Sequence, residues 1–238
     1  MNIPVYLLAA QQTQIGYIWR SATPEGKIII ICLVFFSICA WTVMVSKALQ
    51  MRRARQFNEY FDAEYRSQKN VMGIYDRRLQ VEGCPLFTVY QSGCLELEHR
   101  LRTGEGEERK KHLTLKSVEH IKRTLEGAVS REALKLESGL IMLAIAVSGA
   151  PFLGLLGTVW GVMDTFAAIG LMGKADLQTM APGVSSSLST TVAGLLVAIP
   201  SMFAYNWLVH TLRVRTVELD NFAQDLMSRI ETEYLKDE

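Results

Sequence analysis

The chain has 238 residues, 49% of them hydrophobic and 21% charged, with a formal net charge of +1. That balance gives no electrostatic ground for nucleic-acid binding, which calls for a strongly basic surface. The apolar residues are concentrated in runs too long and too many for a single soluble core.

Residues 1–27 hold only Arg20 and Lys27 as basic residues, and their apolar run Ile3–Ala10 is short. Residues 1–25 lack the basic start of a secretory signal, and the first long apolar run is followed by basic residues rather than a small-residue cleavage site. Ile28–Val45 (IIIICLVFFSICAWTVMV) carries no charge. A bilayer core takes about 20 apolar helical residues, so residues 28–46 are expected to be a first transmembrane helix that stays in the mature protein. Cys32 and Cys39 lie one heptad apart on it.

Residues 47–137 form the polar segment. Residues 47–69 hold no Gly or Pro and read as a helix, Gly83-Cys84-Pro85 interrupts the pattern, and residues 86–102 resume it. Thr103–Gly106 reads as a turn. From Glu107 the pattern is helical through Glu137 and is expected to run on into the next apolar stretch, with Gly127 and Gly139 as soft breakers only. Cys84 and Cys94 fall in this segment, and the chain has no CxxC. They are expected to be small packing residues, with no disulfide and no metal site. The scattered His99, His112, His120 and His210 are expected on the polar surface.

The second uncharged stretch, Ser138–Met163, is interrupted by Asp164 and continues to Gly173. Residues 138–172 are expected to be the second span, kinked at Pro151. Residues 173–181, with Lys174, are read as a short loop, 182–209 as the third span and 210–238 as an amphipathic helix. Leu212, Leu219, Phe222, Leu226 and Ile230 recur there at three- and four-residue spacing around that helix's apolar face. No alternating run suggests a sheet. The fold class expected is therefore all-α: an integral membrane protein with three transmembrane helices and long helices extending beyond the membrane. Lys47, Arg52, Arg53 and Arg55 after the first span, and Arg213 and Arg215 after the third, place residues 47–137 and the C-terminus in the cytoplasm and residues 1–27 outside.

Two stripes of small residues stand out. In span two Pro151, Gly154, Thr158, Gly161 and Thr165 share one face, and Gly157–Gly161 is a GxxxG pair. In span three Ser187, Thr191, Gly194, Ala198, Ser201 and Tyr205 do the same, with Pro200 beside them. Helices in lipid approach each other through small residues. Thr158 and Thr191 each lie mid-span and can bond their own backbone carbonyls at little cost, so the stripes read either as close packing or as a polar lining.

The segments APFLGLLGTVWGVM at Ala150–Met163, APG at Ala181–Gly183, TTVAGLLVAIP at Thr190–Pro200 and AYN at Ala204–Asn206 resemble the TolQ/ExbB branch of the MotA/TolQ/ExbB proton-channel family. The phrase DLQTMAPG at Asp176–Gly183 leans toward the TolQ side. The resemblance implies a pentameric ring in the bacterial inner membrane, with no cofactor and the proton as coupling ion. It implies a single-span TolR/ExbD-type partner that places an intramembrane Asp inside the ring, and a TonB- or TolA-like protein that takes up the work. It puts two partner-facing threonines on Thr158 and Thr191, with Ser187 and Tyr205 on the same path. The small stripes are expected to face the axis of such a ring. The chain departs from the family pattern APGxxEAL: the text is APGVSSSL, with Ser186 at the Glu position. Asp164 is six residues past Thr158 and Ser186 five before Thr191, which puts them about 9 and 7.5 Å from the threonines in one direction. Asp164 is thus a candidate for the missing charge. A scaffold or receptor acting through residues 47–137, and a channel needing no partner, are the alternative readings. The sequence carries no nucleophile–base motif, P-loop or metal cluster that would point to an enzyme.

Overall fold

The structure, a computed structural model, describes residues 23–78, 81–102, 112–173 and 176–235. The turn expected at Thr103–Gly106, the segment before Thr23 and Lys174 lie outside these residues. Among the described residues five α-helices follow one another: α1 Pro24–Ser67, α2 Pro85–Arg102, α3 Leu115–Glu137, α4 Leu140–Met172 and α5 Leu177–Tyr234. No strand occurs among the described residues; one isolated bridge joins Leu113 to Leu235. Helices α1, α4 and α5 are each long and apolar enough to cross a membrane. The protein is an all-α integral membrane protein.

Helix α1 begins at Pro24, four residues before the apolar run. Thr23 supplies the reason: its Oγ1 accepts from Gly26 N at 3.2 Å and its carbonyl from Lys27 N at 3.0 Å. Proline follows at the first helical position, where no N–H is needed. The expected span and the expected helix after it are one continuous element of 44 residues.

The second apolar stretch departs from expectation. Residues 107–111 of the expected helix lie outside the described residues, 112–114 are not helical, and α3 does not run into α4. It starts at Leu115, where Thr114 Oγ1 accepts from Ser117 N at 3.3 Å, and stops at Glu137. Gly139 takes φ +85°, a left-handed conformation that a side chain disfavours. Glycine here ends one helix and opens the next, as in a helix C-terminal cap. The loop expected over 173–181 is also shorter, since α5 is helical from Leu177, with Met180 N bonded to the Asp176 carbonyl at 3.1 Å. Span three and the amphipathic tail are one helix of 58 residues containing Pro182 and Pro200.

The chain divides into two compact units, residues 1–45 with 139–206, and 46–138 with 207–238. The second has an ordinary core. Helix α2 buries Leu86, Val89, Tyr90, Cys94, Leu97 and Leu101, and α3 buries Val118, Ile121, Leu125 and Val129. Leu219, Phe222, Leu226 and Ile230 of the tail close it. Tyr65 packs on Phe222 at 5.1 Å between ring centroids and Phe61 on Tyr90 at 5.5 Å. The Tyr90 hydroxyl donates to the Val71 carbonyl at 2.7 Å and accepts from Tyr75 N at 3.0 Å. Cys84 and Cys94 are buried free thiols, and burial pushes the Cys94 thiol up to about 12. Lys47 is also buried; its Nζ donates to the Leu136 carbonyl and Ser138 Oγ, both at 3.3 Å. A cation there meets the carbonyl end of α3.

The first unit is built the other way round. Phe35, Trp41, Phe152, Val159, Phe166, Leu196 and Phe203 are exposed, while Thr165, Ser186, Ser187, Thr190 and Ser201 are buried. Apolar side chains outward and hydroxyls inward is the distribution that lipid selects. Ile29 and Leu33 of α1 pack with Ala150 of α4 and Ala198 of α5.

Candidate functional site

The seam between α4 and α5 is set by glycines. A Cβ at Gly154 would lie 2.9 Å from the Thr190 carbonyl, one at Gly161 would lie 2.5 Å from Ser187 Cβ, and one at Gly194 would lie 2.5 Å from the Ala150 carbonyl. Gly157 sits under the Thr190 side chain and Gly183 under that of Thr165. Each step along α4 is matched by the reverse step along α5, so the two helices run antiparallel in one fixed register. The glycine face of each span is therefore filled by the other span of the same chain. The glycines expected to face a ring axis meet the neighbouring span of their own chain.

Hydroxyls gather where the backbones come closest. Thr158 Oγ1 and Thr191 Oγ1 are hydrogen-bonded to each other. The Gly154 carbonyl lies 3.2 Å from Thr158 Oγ1, 3.1 Å from Thr190 Oγ1 and 3.1 Å from Thr191 Oγ1. The Ser187 carbonyl lies 2.6 Å from Thr190 Oγ1 and 3.3 Å from Thr158 Oγ1. Ser187 Oγ turns back to the Val184 carbonyl at 2.8 Å and Thr165 Oγ1 to that of Gly161 at 2.8 Å. Such i−3 and i−4 bonds satisfy a hydroxyl inside an apolar helix.

Burial separates the members. Thr190 is 1% exposed and Ser187 3%, whereas Thr158 and Thr191 are half-buried. The threonine pair thus lies at the margin of the seam, accessible from one side, and the rest of the cluster is closed. The structure joins Thr158, Thr191 and Ser187 through the Gly154 and Ser187 carbonyls. Tyr205 is half-buried and 14 residues beyond Thr191, about 21 Å along the helix, so it is not part of the cluster. Pro151 and Pro200 lie inside α4 and α5, each half-buried. Asp164 is half-buried and Ser186 buried. The contacts of Gly161 with Ser187 and of Thr165 with Gly183 bracket both residues, which places them within about one helical turn of the same level. No hydrogen bond joins them.

Thr190 went unremarked in the sequence because periodicity selected its neighbour Thr191 for the small face. Its signal was the pair Gly154 and Gly157, whose spacing leaves room for one bulky hydroxyl residue on the facing helix.

Residues 98–221 match the MotA/TolQ/ExbB proton channel family, a range that contains α4, α5 as far as Asn221 and every hydroxyl of the cluster. The Tol-Pal system protein TolQ of Haemophilus influenzae is 31% identical over 198 residues, covering 82% of each chain. The biopolymer transport protein ExbB of Neisseria meningitidis serogroup A is 28% identical over 215 residues, 90% of this chain and 95% of that one. ExbB of Xanthomonas campestris pv. campestris is 42% identical over a shorter stretch of 113 residues, 48% of this chain and 45% of that one. A family match running through the seam, relatives aligned along most of their length and, among the described residues, three helices long and apolar enough to cross a membrane lead to one statement: the chain belongs to the MotA/TolQ/ExbB proton channel family.

Proposed function

We propose that the protein is the proton-channel subunit of an inner-membrane complex that turns proton motive force into work on the cell envelope. In this reading copies of the chain form a ring, pentameric by family resemblance, around a single-span partner of the TolR/ExbD kind. The partner brings a carboxylic acid to the level of Thr158 and Thr191, and a TonB- or TolA-like protein takes up the resulting movement. The names of the relatives, Tol-Pal system protein and biopolymer transport protein, support an output of this kind. The Lys and Arg asymmetry supports an N-terminus outside and residues 47–137 in the cytoplasm.

One observation carries the proposal: of the hydroxyls gathered on the Gly154 and Ser187 carbonyls, the threonine pair alone is half-open, while Thr190 is closed. A hydroxyl can accept from a protonated acid and donate to a carboxylate. It does both without a fixed charge that would hold the proton or the carboxylate in place. An acid passing the pair would keep a partner in either protonation state, and a buried group without one costs about 1–3 kcal/mol. Thr158→Val and Thr191→Val keep shape and remove the hydroxyl. The expected result is loss of proton-coupled activity with the complex still assembled; full activity in both variants would reduce the threonines to packing residues.

Asp164 is proposed to hold a negative charge toward the outer end of the path, in place of the carboxylate that Ser186 does not supply. Its support is the common level of the two residues. Asp164→Asn is expected to lose activity and Asp164→Asn with Ser186→Glu to regain part of it. An active single variant would end this role for Asp164.

A further inference from the structure

The hydrogens of the cluster can be counted. Thr158, Thr190 and Thr191 each bring one hydroxyl hydrogen. Gly154 and Ser187 lie inside regular helices, so each carbonyl already accepts the N–H four residues on and has one lone pair left. Three hydrogens therefore face two carbonyl sites and the oxygens of the threonine pair. Thr190 makes the shortest of these contacts, 2.6 Å to the Ser187 carbonyl. With that site taken, one member of the pair donates to the Gly154 carbonyl and the other donates to its partner. Thr191 stands at 3.1 Å from that carbonyl and Thr158 at 3.2 Å, so both arrangements fit. The hydrogen left in the pair is the one that can swing toward an incoming carboxylate. Without the Thr190 hydroxyl the Ser187 carbonyl falls to Thr158, which already lies 3.3 Å away. Both hydrogens of the pair then turn into the backbone, and the pair presents lone pairs only.

We propose that Thr190 is a positioning residue of the proton path, occupying the Ser187 carbonyl so that the Thr158–Thr191 pair keeps a hydrogen to donate. This rests on the proposed function, in which a partner acid meets that pair. Thr190 never touches the acid, being 1% exposed. Its neighbourhood contains little else that titrates. Asp164 is the single titratable side chain of α4, α5 has none between Leu177 and Ala204 and then Tyr205, and the expected first span has Cys32 and Cys39. The pH dependence of the path is accordingly set by the acid and by the hydrogens offered to it.

The sign follows directly. A carboxylate that loses a donor is destabilised relative to the protonated acid, so the acid holds its proton to higher pH. In everted membrane vesicles carrying the complex with its single-span partner, Thr190→Val is expected to move the pH profile of proton flux to the alkaline side by about one to two units, the scale of one charge-assisted hydrogen bond. Thr190→Ser, which keeps the hydroxyl, is expected to restore the original profile. Should valine disturb assembly, Thr190→Ala removes the same hydrogen with less bulk and is expected to show the same alkaline shift. An unshifted profile, or one moved to the acid side, in an assembled Thr190 variant overturns the inference. If at the same time Thr158→Val and Thr191→Val abolish flux, the proposed function stands and Thr190 alone is misassigned. If those two variants keep full flux, the proposed function falls and the role of Thr190 falls with it.

Discussion

At the scale of single residues, the glycines of the membrane unit divide by what a methyl group would meet. At Gly194 it meets the Ala150 carbonyl at 2.5 Å and Gly154 Cα at 3.1 Å, both backbone, so α4 and α5 must move apart. Gly194→Ala is expected to destabilise the protein by about 1–3 kcal/mol, the scale of overpacking. At Gly149 nothing lies within 4 Å and the backbone is helical, so alanine there is expected to be neutral or to stabilise by about 0.5–1 kcal/mol. Thermal unfolding in detergent of the two variants tests this; equal behaviour would show that the seam is not where the glycines matter. Cys94 gives a second residue-scale expectation. It is 0% exposed and its thiol is pushed up to about 12 by burial, so it stays protonated in the folded protein at pH 8 and resists maleimide. Its contribution to stability is complete below the thiol range of the unfolded chain, near 8.5, and is lost as the pH rises from there toward 12. Rapid labelling of Cys94 in the folded protein would contradict its placement.

At the scale of elements, what was legible in the sequence was length and composition. Three uncharged stretches long enough for a bilayer became α1, α4 and the first part of α5, and the three/four spacing of the tail became one side of the polar unit's core. Local geometry was less legible. The start of α1 depended on the Thr23 cap and Pro24 rather than on hydropathy. The break before α4 depended on one glycine at φ +85°, and Gly127, inside α3, looks no different in the text. Gly139→Ala should cost about 1–2 kcal/mol for a left-handed side-chain residue, whereas Gly127→Ala, in a helix interior, should stabilise. Protease susceptibility around residue 138 is the check, rising in the first variant only. Lys47→Met removes the cation from the Leu136 carbonyl and Ser138 hydroxyl. It should speed amide exchange in the last turn of α3 and leave the turn after Thr114 unchanged.

At the scale of the whole molecule, the small stripes carried half of the site. Their spacing put Thr158 on one face of span two and Thr191 and Ser187 on one face of span three, but a stripe gives a face and not the helix it meets. Gly154, Gly157, Gly161 and Gly194 meet the neighbouring span of their own chain, while Thr158 and Thr191 stay half-open. Thr190 was hidden because its part depends on counting hydrogens across two helices, which no periodicity records. The two compact units divide the chemistry: the polar one has a core of aromatic and aliphatic side chains, and the membrane one buries Thr165, Ser186, Ser187, Thr190 and Ser201. In the proposed function the half-open Thr158–Thr191 pair is where a partner's acid exchanges its proton. The most direct measurement is proton flux across everted vesicles containing the complex in which both threonines are valine, alongside a pull-down of the single-span partner. Flux is expected to be lost with the partner still bound at the wild-type ratio. Wild-type flux from the double variant would contradict it.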